Sequence, residues 1–343
     1  MHPADKAVLR LAVGMGLAVL IAYGLGPPAP FVVCVMTVLM LCKPGPPIPF
    51  VKGVVLASIV ALLLAAGVLM VPLLKHYALA GVLLTAALLY AVYFMGARKA
   101  NPLTIILVIA FTVIPVAGVA DQELVTVLSI AMGVGLGTAI LVSGLSHALF
   151  PDPPRPASQA PLPAEVSREA ASWAALQATL VLLPVFVLAL TNPAFYLAAI
   201  IKTGALGQQA SSTGAQSAGR ELVGSTLMGA AIALVVWCGL SLWPSLWMLM
   251  LWIVAATLWV GVRLYRIKAT ASPPSFWVNA LVTMLILLGP AIEDSAVGKD
   301  VFSASVTRAG LFVGAALYAW GVVWAFQRWK ASRSASAGPV RAS

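Results

Sequence analysis

Charge is the scarcest property of this 343-residue sequence: 9% of its residues are Asp, Glu, Lys or Arg, where soluble domains carry about 25%. A soluble fold could not hide the 62% that are hydrophobic. Cysteine is equally sparse. Cys34, Cys42 and Cys238 lie in or beside apolar segments, with neither metal-ligand spacing nor a disulfide framework. The three histidines, His2, His76 and His147, stand far apart, and no Gly-rich loop leads to Lys-Ser or Lys-Thr. Metal, nucleotide and enzymatic chemistry are therefore not expected, and no cofactor is implied. The net charge of +10 does not point to nucleic acid either. A nucleic-acid binder gathers its basic residues on one soluble face, whereas here they are scattered between apolar runs.

Those runs are what the chain has in abundance, many of them reaching the roughly 20 residues that a helix needs to cross a bilayer. The sequence predicts an all-α integral membrane protein of about twelve transmembrane helices, in two parallel six-helix repeats. The first-half helices are expected near Ala7 to Leu25, Phe31 to Leu41, Gly53 to Val71, Tyr77 to Met95, Leu103 to Val119 and Leu124 to Phe150. The second half gives Ala170 to Leu190, Ala194 to Leu206, Leu222 to Leu242, Leu246 to Val262, Phe276 to Leu288 and Val306 to Phe326. Organisation follows: residues 1–150 as the first repeat, 151–165 as a Pro-rich cytoplasmic linker, 166–330 as the second repeat and 331–343 as a cytoplasmic tail.

Lys and Arg collect on the cytoplasmic side of membrane proteins. Most of the 20 basic residues, among them Lys6, Arg10, Lys52, Arg98, Arg155, Arg220 and Arg328, fall on one side of the expected spans. The opposite side holds Lys75, Lys299 and Arg308 with Asp121, Glu123, Glu293, Asp294 and Asp300. Both termini are therefore expected in the cytoplasm.

The halves repeat their features in order. Pro30-Phe31 and Pro193-Ala194-Phe195 each precede a short apolar segment that ends at a lysine, Lys43 or Lys202. Lys52 and Arg220 open the third helix of their halves, while Ile114-Pro115 and Gly289-Pro290 end the fifth before an acidic loop. Matched, interrupted segments are the best sequence pointer to a transport site. The run CKPGPPIPF from Cys42 and the polar stretch from Lys202 to Arg220 are read as broken helices whose cations and free backbone donors would hold a carboxylate. The candidate substrate-binding residues are Lys43, Lys52, Lys202, Thr203, Gln208 and Arg220, with the polar side chains available to ring hydroxyls. Asp121, Glu293, Asp294 and Arg308 are the candidates for ion coupling. All ten tryptophans fall in the second half, mostly at helix ends as interfacial anchors, with Trp237 and Trp277 the better candidates for stacking on a substrate. Glycines such as Gly133, Gly137, Gly144, Gly224 and Gly229 are expected where helices pack closely.

The segments LRLAVGMGLAVLIAYGLG, PPAPF, LCKPGPP and SHALFPDP, with Arg220 and its downstream GSTLMG, run in order along nearly the whole chain. Together they resemble the small bacterial inner-membrane relatives of the fusaric acid resistance and aromatic acid exporter proteins, a branch of largely unknown function. The resemblance implies efflux of small hydrophobic or aromatic carboxylic acids, beside a periplasmic membrane-fusion adaptor. The large cytoplasmic domain of the bigger exporters has no counterpart here beyond residues 151–165. The partners expected are an organic anion, membrane lipid, that adaptor and a second copy of the chain. A passive anion channel, as in distantly similar plant malate channels, and a non-transporting scaffold for an adaptor are the alternatives.

Overall fold

Inside a bilayer a helix satisfies every backbone N–H and C=O within one segment, and the apolar runs are accordingly helical. The computed structural model describes residues 2–42, 48–99, 104–151, 166–212, 215–296, 298 and 301–336. It is 90% helical, with no strand among the described residues. The helices in chain order are α1 (Pro3–Leu25), α2 (Pro30–Leu41), α3 (Phe50–Val68), α4 (Met70–His76), α5 (Ala78–Lys99), α6 (Thr104–Ala120) and α7 (Gln122–Leu149). They continue as α8 (Arg168–Thr191), α9 (Pro193–Ser212), α10 (Ala215–Leu242), α11 (Leu246–Leu264), α12 (Pro274–Ala296) and α13 (Val301–Ser336).

Among the described residues nine helical segments are long and apolar enough to cross a membrane, with α3 and α4 counting as the single run Val51–His76. Shorter apolar helices are Pro30–Leu41, Thr104–Ala120 and Phe195–Gly204. Local chemistry sets the ends. Gly26 closes α1 at φ +66°, a left-handed conformation that costs glycine little. Asp121, Ser167 and Ser245 each accept a backbone N–H at the start of α7, α8 and α11.

Two expectations are corrected by these boundaries. Pro115 and Pro290 do not end their helices: α6 continues to Ala120 and α12 to Ala296, since packed neighbours make up for the missing N–H in a membrane protein. Glu293 and Asp294 are therefore on the last turns of α12 rather than in a loop. Likewise α9 passes straight through Lys202 to Ser212 and α10 starts at Ala215, so this polar stretch is helical on both sides of residues 213–214. In the first half, α2 ends at Leu41 and α3 begins at Phe50; Lys43 falls between them, outside the described residues.

Helix packing follows the same order twice. In the first half α1 lies against α2, α2 against α7, and α3 against α6; in the second α8 lies against α9, α9 against α13, and α10 against α12. Between the halves α1 packs on α11 as α8 packs on α5, and α2 packs on α12 as α9 packs on α6. Neither large core belongs to one half. One joins α3 to α7 with Ala178, Phe186 and Ile200 of α8 and α9, and the other joins Met15 and Cys34 of α1 and α2 with α10 to α13. The most enclosed span is α12, with 78% of its most apolar stretch buried, against 28% for α11 and α13.

Candidate functional site

The second half meets the first where α2, α6, α9 and α12 come together, and the only fully buried lysine among the described residues stands there. Lys202 lies nine residues into α9, about 14 Å along its axis, and is 0% exposed. Its Nζ donates to Asn279 Oδ1 at 2.8 Å and to Thr283 Oγ1 at 2.5 Å. These two residues are four apart and so share one face of α12.

The network has a definite direction. A lysine only donates, which turns the Asn279 oxygen toward it and leaves the amide nitrogen to donate to Ser225 Oγ at 2.5 Å. The Ser225 hydroxyl donates to the Glu221 carbonyl, and the Thr283 hydroxyl donates to the Asn279 carbonyl at 2.6 Å. Close approach of α10 to α12 makes this reach possible. A Cβ at Gly229, one turn beyond Ser225, would collide with the Ala280 carbonyl and Thr283. Among the described residues no carboxylate pairs with Lys202. A buried ammonium without a counter-ion is strongly disfavoured, and an ionisable residue inside a membrane marks a candidate functional site.

Beside this network lies a cavity of about 420 Å³ between the halves. Its wall comes from Phe31 to Leu39 of α2, Ile105 to Val113 of α6, Leu128 and Met132 of α7, Ile201 of α9 and Ser275 to Ile286 of α12. Among the described residues the only polar side chains in that wall are Ser275 and Asn279. Asn279 therefore stands between the cavity and Lys202, touching both. Small-molecule sites have this composition, a mostly apolar concavity with a few convergent polar groups.

The other sequence candidates are placed as follows. Thr203 is buried, but its hydroxyl donates to Ala199 O of its own helix at 2.7 Å, away from the network. Lys52 is exposed on the first turn of α3, whereas Arg220, expected to open its helix, is exposed as the sixth residue of α10; the side chain of Gln208 lies outside the described residues, as does Lys43. Asp121 is exposed and caps α7 through the Glu123 N–H at 3.0 Å. Three coupling candidates do come together. Arg308 of α13 pairs with Asp294 at 2.6 Å, and beside them Glu293 has a buried Oε1 with no hydrogen-bond partner among the described residues.

Neither tryptophan candidate reaches the cavity. Trp237 lines a separate apolar groove of about 410 Å³ between α10, α12 and α13, and Trp277 packs edge-on against Phe276 and Trp259. Nothing lies within 4 Å of a Cβ built at Gly133, Gly137 or Gly144, so these glycines are not close-packing points. Conversely, Arg10, read as a flank, is 5% exposed, and His147 is buried with Nδ1 donating to Ser143 O at 2.7 Å. Asn279 and Ser225, the polar partners of Lys202, went unseen in the sequence; a lone Asn six residues into an apolar helix was the available signal.

Residues 7–146 match DUF2955, a protein family of unknown function. That segment runs from α1 into α7 and includes Met36, Ile109 and Met132 of the cavity wall, while Lys202, Ser225 and Asn279 lie beyond it. No curated protein and no solved structure matches the chain.

Proposed function

We propose that this protein is an exporter of small hydrophobic carboxylic acids, crossing the bacterial inner membrane twelve times in two six-helix halves. The observation that carries the reading is Lys202, buried without a carboxylate partner among the described residues, behind the one polar stretch of an otherwise apolar cavity. A carboxylate from the ligand supplies the missing counter-ion, and the apolar wall takes the rest of the molecule. Asn279 separates cavity from lysine, so rotation of that one side chain brings ligand and ammonium together.

The duplicated packing order supports the two-half reading, because transporter sites form at the interface of internal repeats. The resemblance to aromatic acid exporters points to the same substrate class. Weak acids enter a cell as neutral molecules and ionise inside, so a cell exposed to them gains from a carrier for the anion. Energy for accumulation would come from an ion gradient, with Glu293, Asp294 and Arg308 the group available for coupling. On the resemblance alone, a periplasmic adaptor is the expected partner.

The test is sensitivity and transport together. Cells lacking the gene should be more sensitive to benzoates, cinnamates and fusaric acid at mildly acidic external pH, and the purified protein in vesicles should move one of these acids against its gradient. Dissipating currents with no accumulation would favour an anion channel. Unchanged sensitivity with or without a co-expressed adaptor, and no flux in vesicles, would overturn the transport reading.

A further inference from the structure

The lysine network and the facing cavity wall occupy equivalent positions of the two halves, and those positions differ in polarity. Helices α6 and α12 each meet a glycine of the preceding packed helix at their seventh residue: a Cβ at Gly67 would strike Ala110 O, and one at Gly229 would strike Ala280 O. On that alignment Ile109 corresponds to Asn279 and Val113 to Thr283, the sixth and tenth residues of their helices. Counted from Pro30 and Pro193, the tenth residues of α2 and α9 are Leu39 and Lys202. The second half thus places Lys202, Asn279 and Thr283 at these stations, Asn279 in the cavity wall and the other two behind it. The first half presents Leu39, Ile109 and Val113 at the same stations, all three in the cavity wall.

This division selects among acids. Among the described residues the wall contributed by α2, α6 and α7 holds no polar side chain, so a hydroxyl or second carboxylate pressed against it would lose its water and gain no partner. Thr203, which would otherwise serve a ring hydroxyl, is committed to its own helix. We propose that the cavity reads its ligand from both ends, taking one carboxylate at Asn279 and Lys202 and an unsubstituted apolar end against Leu39, Ile109 and Val113. Its substrates are then monocarboxylates with a single polar end, and Ile109 and Val113 determine specificity. The identity of the head group as a carboxylate rests on the export reading above; the apolar end does not.

Binding to the purified full-length protein in lipid nanodiscs tests this, with para-ethylbenzoate, para-hydroxybenzoate and terephthalate as probes. Para-ethylbenzoate should bind best. The hydroxyl should weaken binding about tenfold, and the second carboxylate of terephthalate at least about a hundredfold. Ile109→Asn should bring para-hydroxybenzoate to within about threefold of para-ethylbenzoate, through a hydrogen bond worth about 1 kcal/mol. Val113→Ser is the second variant should Ile109→Asn not fold. Lys202→Met should lose all three probes. Equal binding of the three by the wild type, or equal effects of Ile109→Asn and Val113→Ser on the ethyl and hydroxyl probes, would overturn the two-ended reading while leaving an acid carrier standing. Absence of binding by any probe would overturn the acid reading of the site and this inference with it.

Discussion

A lysine side chain that ends on an amide and a hydroxyl, with no carboxylate paired to it among the described residues, is a poor contributor to stability and a good place to hold an anion. Those two properties can be separated by mutation. Lys202→Met keeps the volume of the side chain and removes its polar end, so the ligand-free protein should melt no lower than wild type, because a buried ammonium without a counter-ion costs more than the one amide oxygen its removal leaves without a donor. Acid binding should vanish in the same variant. Asn279→Leu should do the opposite to stability, costing about 1–3 kcal/mol because it strands the amine and Ser225. In Lys202→Met/Asn279→Leu most of that cost should disappear. Thermal melts of the four proteins in one detergent check this cycle, and additive losses would show that the two side chains do not share a network. Lys52→Gln and Arg220→Gln, at exposed positions, should change binding by less than about threefold, as expected of solvated flanks.

Helix α12 joins two polar groups that are far apart along its length. Asn279 and Thr283 hold Lys202 near one end, and Asp294 meets Arg308 of α13 near the other. Between Thr283 and Asp294 the helix is apolar except for Glu293 and passes through Pro290, so it can carry a displacement from one group to the other only as a packed rod. Asp294→Asn should loosen α13 from α12 and lower stability by about 1–3 kcal/mol, as when one member of a partly buried, charge-assisted pair is removed. Arg308→Met in that background should recover most of it. Melting temperatures decide the point, and a loss unrelieved by the second change would mean that Asp294 is held by something other than Arg308. This helix also marks how far the sequence could be read. Its existence was legible from an apolar run, and Lys202 was singled out, but as a cation at a helix break that the unbroken α9 does not contain. Its length was not legible, because Pro290 reads as a stop until neighbouring helices are known to cover it. Asn279 was missed for the same reason, since one amide becomes meaningful only when α9 and α10 are seen to converge on it.

At the scale of the whole molecule, side assignment is open to direct measurement. A reporter active only in the periplasm should be silent when fused at Ser158 and active at Asp121; the reverse pattern would overturn the proposed orientation. The charge asymmetry behind that expectation is a property of loops, whereas which helices meet across the interface is a property of their faces and appeared only in the structure. The shared cores have a consequence for how the chain is made. A ribosome delivers α1 to α7 into the membrane before α8 exists, and at that moment Leu89, Tyr93 and Ile109 lack the helices α8 and α9 that complete their core. Residues 1–150 produced alone should therefore be rapidly degraded, while the same fragment co-produced with residues 151–343 should persist, the two pieces closing on each other. Assembly in the cell is then a late event, in which the first half waits in the bilayer, held by lipid or an insertase, until synthesis of the second supplies the surfaces it lacks.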